Sequence, residues 1–267
     1  SWSPARGGSV GVILLAILAA VQAAPARTIA LPDTTDHHTL ASYPFQVGEE
    51  YHYIARLGII TVGEASMSIP GIDTVRHVPV FVFRFTLNGR ALFFTIDDTL
   101  TSWTGIQDFK SRRFLQKNNE DGSLWLRDRI ILADSGYYRT LGDSTRSPTP
   151  DVPLDDAAFF YFVRTIPLEV GKTYSFDRYF MKDKNPIVVQ VLKRDGCDLP
   201  DGRHLQCLVL APVVKTKGMF SERAQARVYL TDDALRIPVE IRSRFPFGVI
   251  DLKLRDMKIP PTPQTAN

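Results

Sequence analysis

The sequence predicts a mostly β fold, an antiparallel curved sheet or open half-barrel with one buried helix near 154–165. Two observations carry this expectation. Apolar and polar residues alternate with period two along most of the chain, in runs separated by short turn-forming stretches. One segment breaks the alternation, and it is apolar nearly all round.

Residues 80–87 set the pattern: Phe81, Phe83, Phe85 and Leu87 share one face, Arg84 and Thr86 the other. Val239, Ile241, Ser243 and Phe245 stand opposite Glu240, Arg242 and Arg244. Ile250, Leu252 and Leu254 alternate with Asp251, Lys253 and Arg255. Similar runs fall near 51–57, 62–69, 93–101, 112–117, 124–132, 136–140, 174–181, 187–194, 204–211 and 224–230. One apolar and one polar face is what an antiparallel sheet solvated on one side requires. Short connections favour a barrel or curved sheet over βαβ units, whose crossovers need about a dozen residues.

The exception, 154–165 (LDDAAFFYFVRT), follows a proline-rich loop, with Asp155 or Asp156 placed to cap a helix N-terminus. Ala157-Ala158 favours a helix over the alternative, a wide buried strand. A helix apolar on every side has to be buried. There is also an internal echo: PFQVGEEYHY (44–53) and PLEVGKTYSF (167–176) resemble each other as two halves of one sheet would. Short β motifs also converge, so duplication and convergence both remain open.

Composition excludes several classes. The chain has 267 residues, 44% hydrophobic and 23% charged, which is globular rather than disordered. Lys+Arg is 32 against Asp+Glu 29, and no basic block is dense enough for a nucleic-acid footprint.

Residues 1–23 read as a signal peptide. Arg6 supplies the positive start, Val10 to Val21 the apolar stretch, and Val21-Gln22-Ala23 the cleavage site, with Ala24-Pro25-Ala26 a second candidate. The alternative is an uncleaved anchor. Twelve apolar residues span about 18 Å as a helix, against a hydrocarbon core of about 30 Å. The expected location is therefore periplasmic or secreted. A flexible leader over 24–42, a single β-rich domain over 43–258 and a polar tail over 259–267 follow.

In an oxidising compartment Cys197 and Cys207, on either side of the Pro200-Asp201-Gly202 turn, are expected to form a disulfide. Free thiols are the alternative; a zinc site using His204 lacks a fourth ligand. His37-His38, near Asp33 and Asp36, reads as a solvated pair, so neither a metal site nor a cofactor is expected.

No catalytic residue is assigned and no enzyme is expected. Asp97-Asp98 and Asp232-Asp233 are repeated carboxylate pairs, but neighbours on a strand point to opposite faces and cannot share a substrate atom. His52, beside Tyr51 and Tyr53, is the best lone polar candidate, and a solvated strand-face histidine explains it.

Three turns are apolar where turns are normally polar: Leu57-Gly58-Ile59-Ile60, Gly218-Met219-Phe220 and Phe245-Pro246-Phe247-Gly248. Lys215, Lys217, Arg223 and Arg227 collar the middle one, a combination suited to anionic lipid. Either these tips complete the core or they form a rim. As a rim, Leu57, Ile59, Ile60, Met219, Phe220, Phe245 and Phe247 would surround a ligand site floored by Phe81, Phe83 and Phe85.

PFQVGEEYHYIARLGIITVGEASMSI (44–69) resembles the opening of the domain-of-unknown-function 3108 family of exported bacterial proteins. IDDTLTSW (96–103), RTIPLEVGKTYSF (164–176), LQCLVLAPVVKTKGMF (205–220) and VYLTDDALRIPVEIRSRFPFGVIDLKL (228–254) follow in the family's order. The resemblance covers about 43–257. It implies an exported, mostly β protein similar to the open half-barrels of periplasmic lipoprotein carriers, and it implies no activity and no site residues.

The expected function is that of a non-enzymatic envelope protein binding an apolar or amphipathic, lipid-like ligand in the curved sheet. The alternatives are a structural or assembly partner of another envelope protein and a hydrolase of envelope polymers. The expected partners are a lipid or membrane surface, or another envelope protein, with no nucleic acid.

Overall fold

The computed structural model describes residues 39–261 apart from 92–93, 121, 216–219 and 246–247. The expected signal peptide, most of the leader and the end of the tail lie outside the described residues.

Among the described residues, fourteen strands form one antiparallel sheet around a single α-helix. The first half runs β1 (Glu50–Leu57), β2 (Ile60–Val75), β3 (Val78–Ala91), β4 (Phe94–Gly105), β5 (Ser111–Glu120), β6 (Ser123–Leu132), β7 (Tyr137–Thr140) and β8 (Ser147–Pro148). The helix α1 (Asp156–Thr165) follows. The second half is β9 (Thr173–Phe176), β10 (Ile187–Asp198), β11 (His204–Val213), β12 (Arg227–Thr231), β13 (Pro238–Phe245) and β14 (Gly248–Lys258). Neighbours in sequence are neighbours in the sheet, and β1 pairs with β14, so among the described residues the only break lies between β8 and β9.

The break is narrow. Both edge strands are short, two residues in β8 and four in β9, which limits strand addition by another chain. The segment entering α1 also knits to the segment leaving β9. Leu154 N donates to Arg178 O at 2.5 Å, Phe180 N to Leu154 O at 2.9 Å, and Thr149 Oγ1 to Phe180 O at 2.8 Å.

The concave face is filled by α1. Asp155 caps it, its side chain accepting from Ala158 N at 2.9 Å, and every residue from Ala157 to Arg164 is buried. Tyr161 stacks on Phe83 with centroids 4.1 Å apart, Phe160 stacks on Phe85 at 5.0 Å, and Phe162 meets Phe176 edge-on at 5.0 Å. Tyr43 and Phe45, ahead of β1, pack against Phe81 at 5.3 and 5.6 Å. Such aromatic pairs add about 0.5–1.5 kcal/mol each beyond the area they bury.

The polar end of α1 is anchored as firmly. Arg164 is fully buried and donates from Nη1 to Glu49 Oε2 at 2.9 Å, with the two side chains 0% and 1% exposed. Its Nη2 also donates to the carbonyls of Pro44 at 2.9 Å and Leu235 at 2.8 Å. The helix terminus is thereby tied to the segment before β1 and to the β12–β13 turn.

The sequence echo has a structural counterpart. Gly48 N donates to Ile69 O at 2.8 Å and Gly171 N to Val191 O at 2.8 Å; Ile69 N and Val191 N return bonds to Glu49 O and Lys172 O at 3.0 and 2.9 Å. Both glycines adopt positive φ, 91° and 84°, which favours glycine over residues carrying a Cβ. The same turn therefore opens β1 and β9. Cys197 and Cys207 form a disulfide across the β10–β11 hairpin, with Cα atoms 5.9 Å apart.

Replacing Arg164 with Met strands the Glu49 carboxylate in the core. The expected loss is about 3–5 kcal/mol by chemical denaturation, and combining it with Glu49→Gln recovers part of that loss. Additive losses in the double variant would show that the pair is not coupled.

Candidate functional site

The described ends of two of the three apolar turns meet. Leu57 pairs with Ile250 across β1 and β14, which sets the end of β1 beside the start of β14. Gly248, with φ 140°, lies under Leu57, and a Cβ there would come within 2.6 Å of Leu57 Cδ1. Ile59 is 98% exposed and Ile60 62%, with Val249 beside them also exposed. Arg56 and Arg244 are exposed nearby and make no ion pair among the described residues.

The third turn behaves differently. Val214 N donates to Phe220 O at 2.8 Å, and Phe220 is buried against Phe159 and Phe160, with centroids 5.2 and 5.0 Å away. Phe220 is thus core rather than rim. Met219, Phe247 and Lys217 lie outside the described residues, and Phe245 ends β13. Of the basic collar, Lys215 donates to Asn185 O at 2.8 Å and Arg227 to Ala226 O at 2.8 Å.

The expected floor is also core. Phe81, Phe83 and Phe85 are buried beneath α1 and the segment before β1. A helix apolar on all sides must bury its rings, and these three phenylalanines supply the matching surface.

Beyond the reach of α1 the same face continues. Directly opposed residues of an antiparallel pair share a face, so the register defines rows across β2 to β6. One row is Ala65, Leu87, Asp98, Asn118 and Trp125; the next is Met67, Phe85, Leu100, Gln116 and Arg127. A third runs Phe83, Ser102, Phe114, Arg129 and, on β7, Thr140. α1 covers the Phe83–Ser102 end and Phe85. Leu87, Leu100, Gln116, Trp125 and Arg129 stay half-buried, and Arg127 is exposed. Sequence reading missed this strip because on β6 the leucines, Leu124 and Leu126, lie on the opposite, exposed face, so the apolar alternation marks the wrong side of the strand.

The strip has its own polar contacts. Asn118 Nδ2 donates to Asp98 Oδ2 at 2.7 Å, Arg127 lies over the Trp125 ring at 4.5 Å, and Arg129 Nη1 donates to Thr140 Oγ1 at 2.9 Å. Arg129 Nε and Asn118 Oδ1 are buried without a hydrogen-bond partner.

Within each carboxylate pair the two side chains have different surroundings. Asp97 is exposed while Asp98 faces the strip; Asp232 bonds Arg194 at 2.6 Å, and Asp233 accepts from the Leu235 and Arg236 amides at 3.0 Å. His52 lies 3.7 Å from Glu50 on a half-exposed strand face. Among the described residues no three His, Cys, Asp or Glu side chains gather as metal ligands. A depression of about 410 Å³ lies against Cys197, Asp198 and His204 at the β10–β11 turn, on the opposite end of those strands from Phe220.

A buried carboxyl, Asp155, and a half-buried one, Asp156, stand at the helix start. Burial pushes Asp155 up to about 7 against the hydrogen bonds from Ser102, Ala158 and Ser111, and pushes Asp156 up to about 6 against the bond from Tyr179. Both groups prefer the protonated form in the folded state. Their contribution is complete below the unfolded value of 3.8 and is lost as pH rises through about 6 and 7. Asp155→Asn keeps a cap acceptor without the charge. Its melting temperature is expected to fall less than that of the parent between about pH 4 and 7, by thermal melts across that range. Parallel pH profiles would sink the assignment.

No curated protein matches the chain. Among solved structures, the chain is similar to the crystal structure of a beta-barrel-like protein of domain of unknown function DUF1849 from Brucella abortus. The TM-score is 0.54 at 13% identity, over 81% of this chain and 99% of that chain, a likeness of fold alone. The model of the family described as protein of unknown function DUF3108 matches residues 52–255, and the chain belongs to that family.

Proposed function

We propose that this is an exported, non-enzymatic envelope protein that binds a lipid-like, amphipathic molecule at the end of the curved sheet bearing the β1–β2 and β13–β14 tips. The observation that carries the reading is the exposure of Ile59 and Ile60 on a tip whose Leu57 packs against Gly248 at the start of β14. Water-facing turns gain nothing from such residues, whereas an apolar surface does. Arg56 and Arg244 beside them add attraction for anionic headgroups. The ligand lies along the part of the concave face that α1 leaves uncovered, next to Leu87 and Leu100. The assembly alternative finds less support, because the edges β8 and β9 are short and bridged by the 149–154 and 178–180 segments.

Vesicle co-sedimentation tests this reading. Ile59→Asp with Ile60→Asp is expected to abolish binding to phosphatidylglycerol-containing vesicles and to leave the melting temperature within about 2 °C, since exposed positions tolerate charge. Phe220→Asp is expected to unfold the protein instead, because it buries an unpaired charge among aromatic rings. A parent protein without vesicle affinity would end the lipid reading.

A further inference from the structure

We infer that Arg127 and Arg129 form the head site for a single-chain amphiphile with a carboxylate head, a long-chain fatty acid, whose tail lies over Leu100 and Leu87. The inference rests on the lipid-binding reading and names its ligand class.

The two arginines are two residues apart on β6 and lie on the concave side, the side that carries α1. Neither makes an ion pair among the described residues. Other arginines of this sheet do have carboxylate partners, Arg112 with Asp108 at 2.7 Å, Arg113 with Asp128 at 2.6 Å and Arg194 with Asp232 at 2.6 Å, whereas Arg56 and Arg244 at the tips, like Arg127 and Arg129, do not among the described residues. Arg129 spends one bond on Thr140 and keeps a buried Nε–H without an acceptor. Burial and the neighbouring Arg127 charge both work against its protonated form, opposed only by Tyr138 and Tyr179. A buried donor without an acceptor is costly, and a carboxylate matches a guanidinium fork with two parallel hydrogen bonds.

The surroundings select a single tail. Gln116, opposite Arg127, adds an amide beside the head site, and Leu100 and Phe85 continue that row away from it. From β6 to β3 is three strand spacings, about 14 Å, which an acyl chain spans. Asp98 lies in the row beyond, about 7 Å along the strands from the Arg127 row. Its carboxylate keeps an anionic head at the Arg129 end, so the ligand has one orientation.

Trp125 provides the readout, because Arg127 covers its ring at 4.5 Å. The probes are myristate, brominated myristate, tetradecyltrimethylammonium and acetate, titrated into the purified protein. Myristate is expected to bind, and its brominated form to quench fluorescence that Trp125→Phe removes. Arg127→Gln is expected to weaken binding about tenfold, and the cation and acetate are expected not to compete. Arg113→Gln, at a charge paired with Asp128, is expected to leave the affinity unchanged. Arg127 is exposed, so its variant remains decisive even where Arg129→Gln fails to fold. Parental affinity in Arg127→Gln, equal binding of the cationic amphiphile, or saturation of the site by acetate would overturn the assignment. Absent myristate binding with vesicle binding intact overturns this inference alone; loss of both overturns the lipid reading as well.

Discussion

The buried guanidinium of Arg164 is the constraint on which the rest of the structure depends. It stands at the end of α1, inside the sheet, and is satisfied by Glu49, Pro44 O and Leu235 O. The rings of Phe45, Tyr51 and Tyr161 lie 5.3–5.8 Å from its carbon. A charge taken this far from water is tolerated only with a close counter-ion and its other donors used. One side chain therefore holds three segments that are distant in sequence: the entry to β1, the helix and the β12–β13 turn.

That anchoring determines how the concave face is divided. With Asp155 capping one end and Arg164 holding the other, α1 has one seat, over Phe83, Phe85 and the segment before β1. The interior under the helix is a close-packed aromatic core. On the same face, α1 also reaches β4 through the Ser102–Asp155 bond and Phe180 packs over Phe114 and Tyr138; the partly exposed remainder carries Leu100, Gln116, Trp125, Arg127 and Arg129. A sheet of this width has more concave surface than ten helical residues cover, and the surplus lies on one side of the helix.

The halves of the sheet share a plan and diverge in use. The matching turns at Gly48 and Gly171 open β1 and β9 with the same bonds to the following strand. In the first half the residue after the glycine is Glu49, which takes the Arg164 charge; in the second it is Lys172, which is exposed and paired with Glu169. Only one of the two turns carries the counter-ion, so only one of them receives the helix end.

Much of this was legible in the sequence, for a local reason. Period-two alternation such as Phe81-Phe83-Phe85 and Ile250-Leu252-Leu254 marks half-buried strands, and an apolar 10-residue helix behind an aspartate cap marks a buried plug. The Cys197–Cys207 hairpin was legible from its turn residues. The fate of the apolar turns was not: Ile59 and Phe220 look alike in sequence, yet one faces water and the other packs on Phe159. Nor was the strip, because Trp125, Arg127 and Arg129 stand on the face of β6 opposite its leucines, Leu124 and Leu126, which are exposed. Alternation separates two faces without saying which one is inside. Sequence by itself determined the strands, the helix and the family; only the register between strands and the seat of α1 decided which side chains meet, because those depend on contacts between residues far apart in the chain.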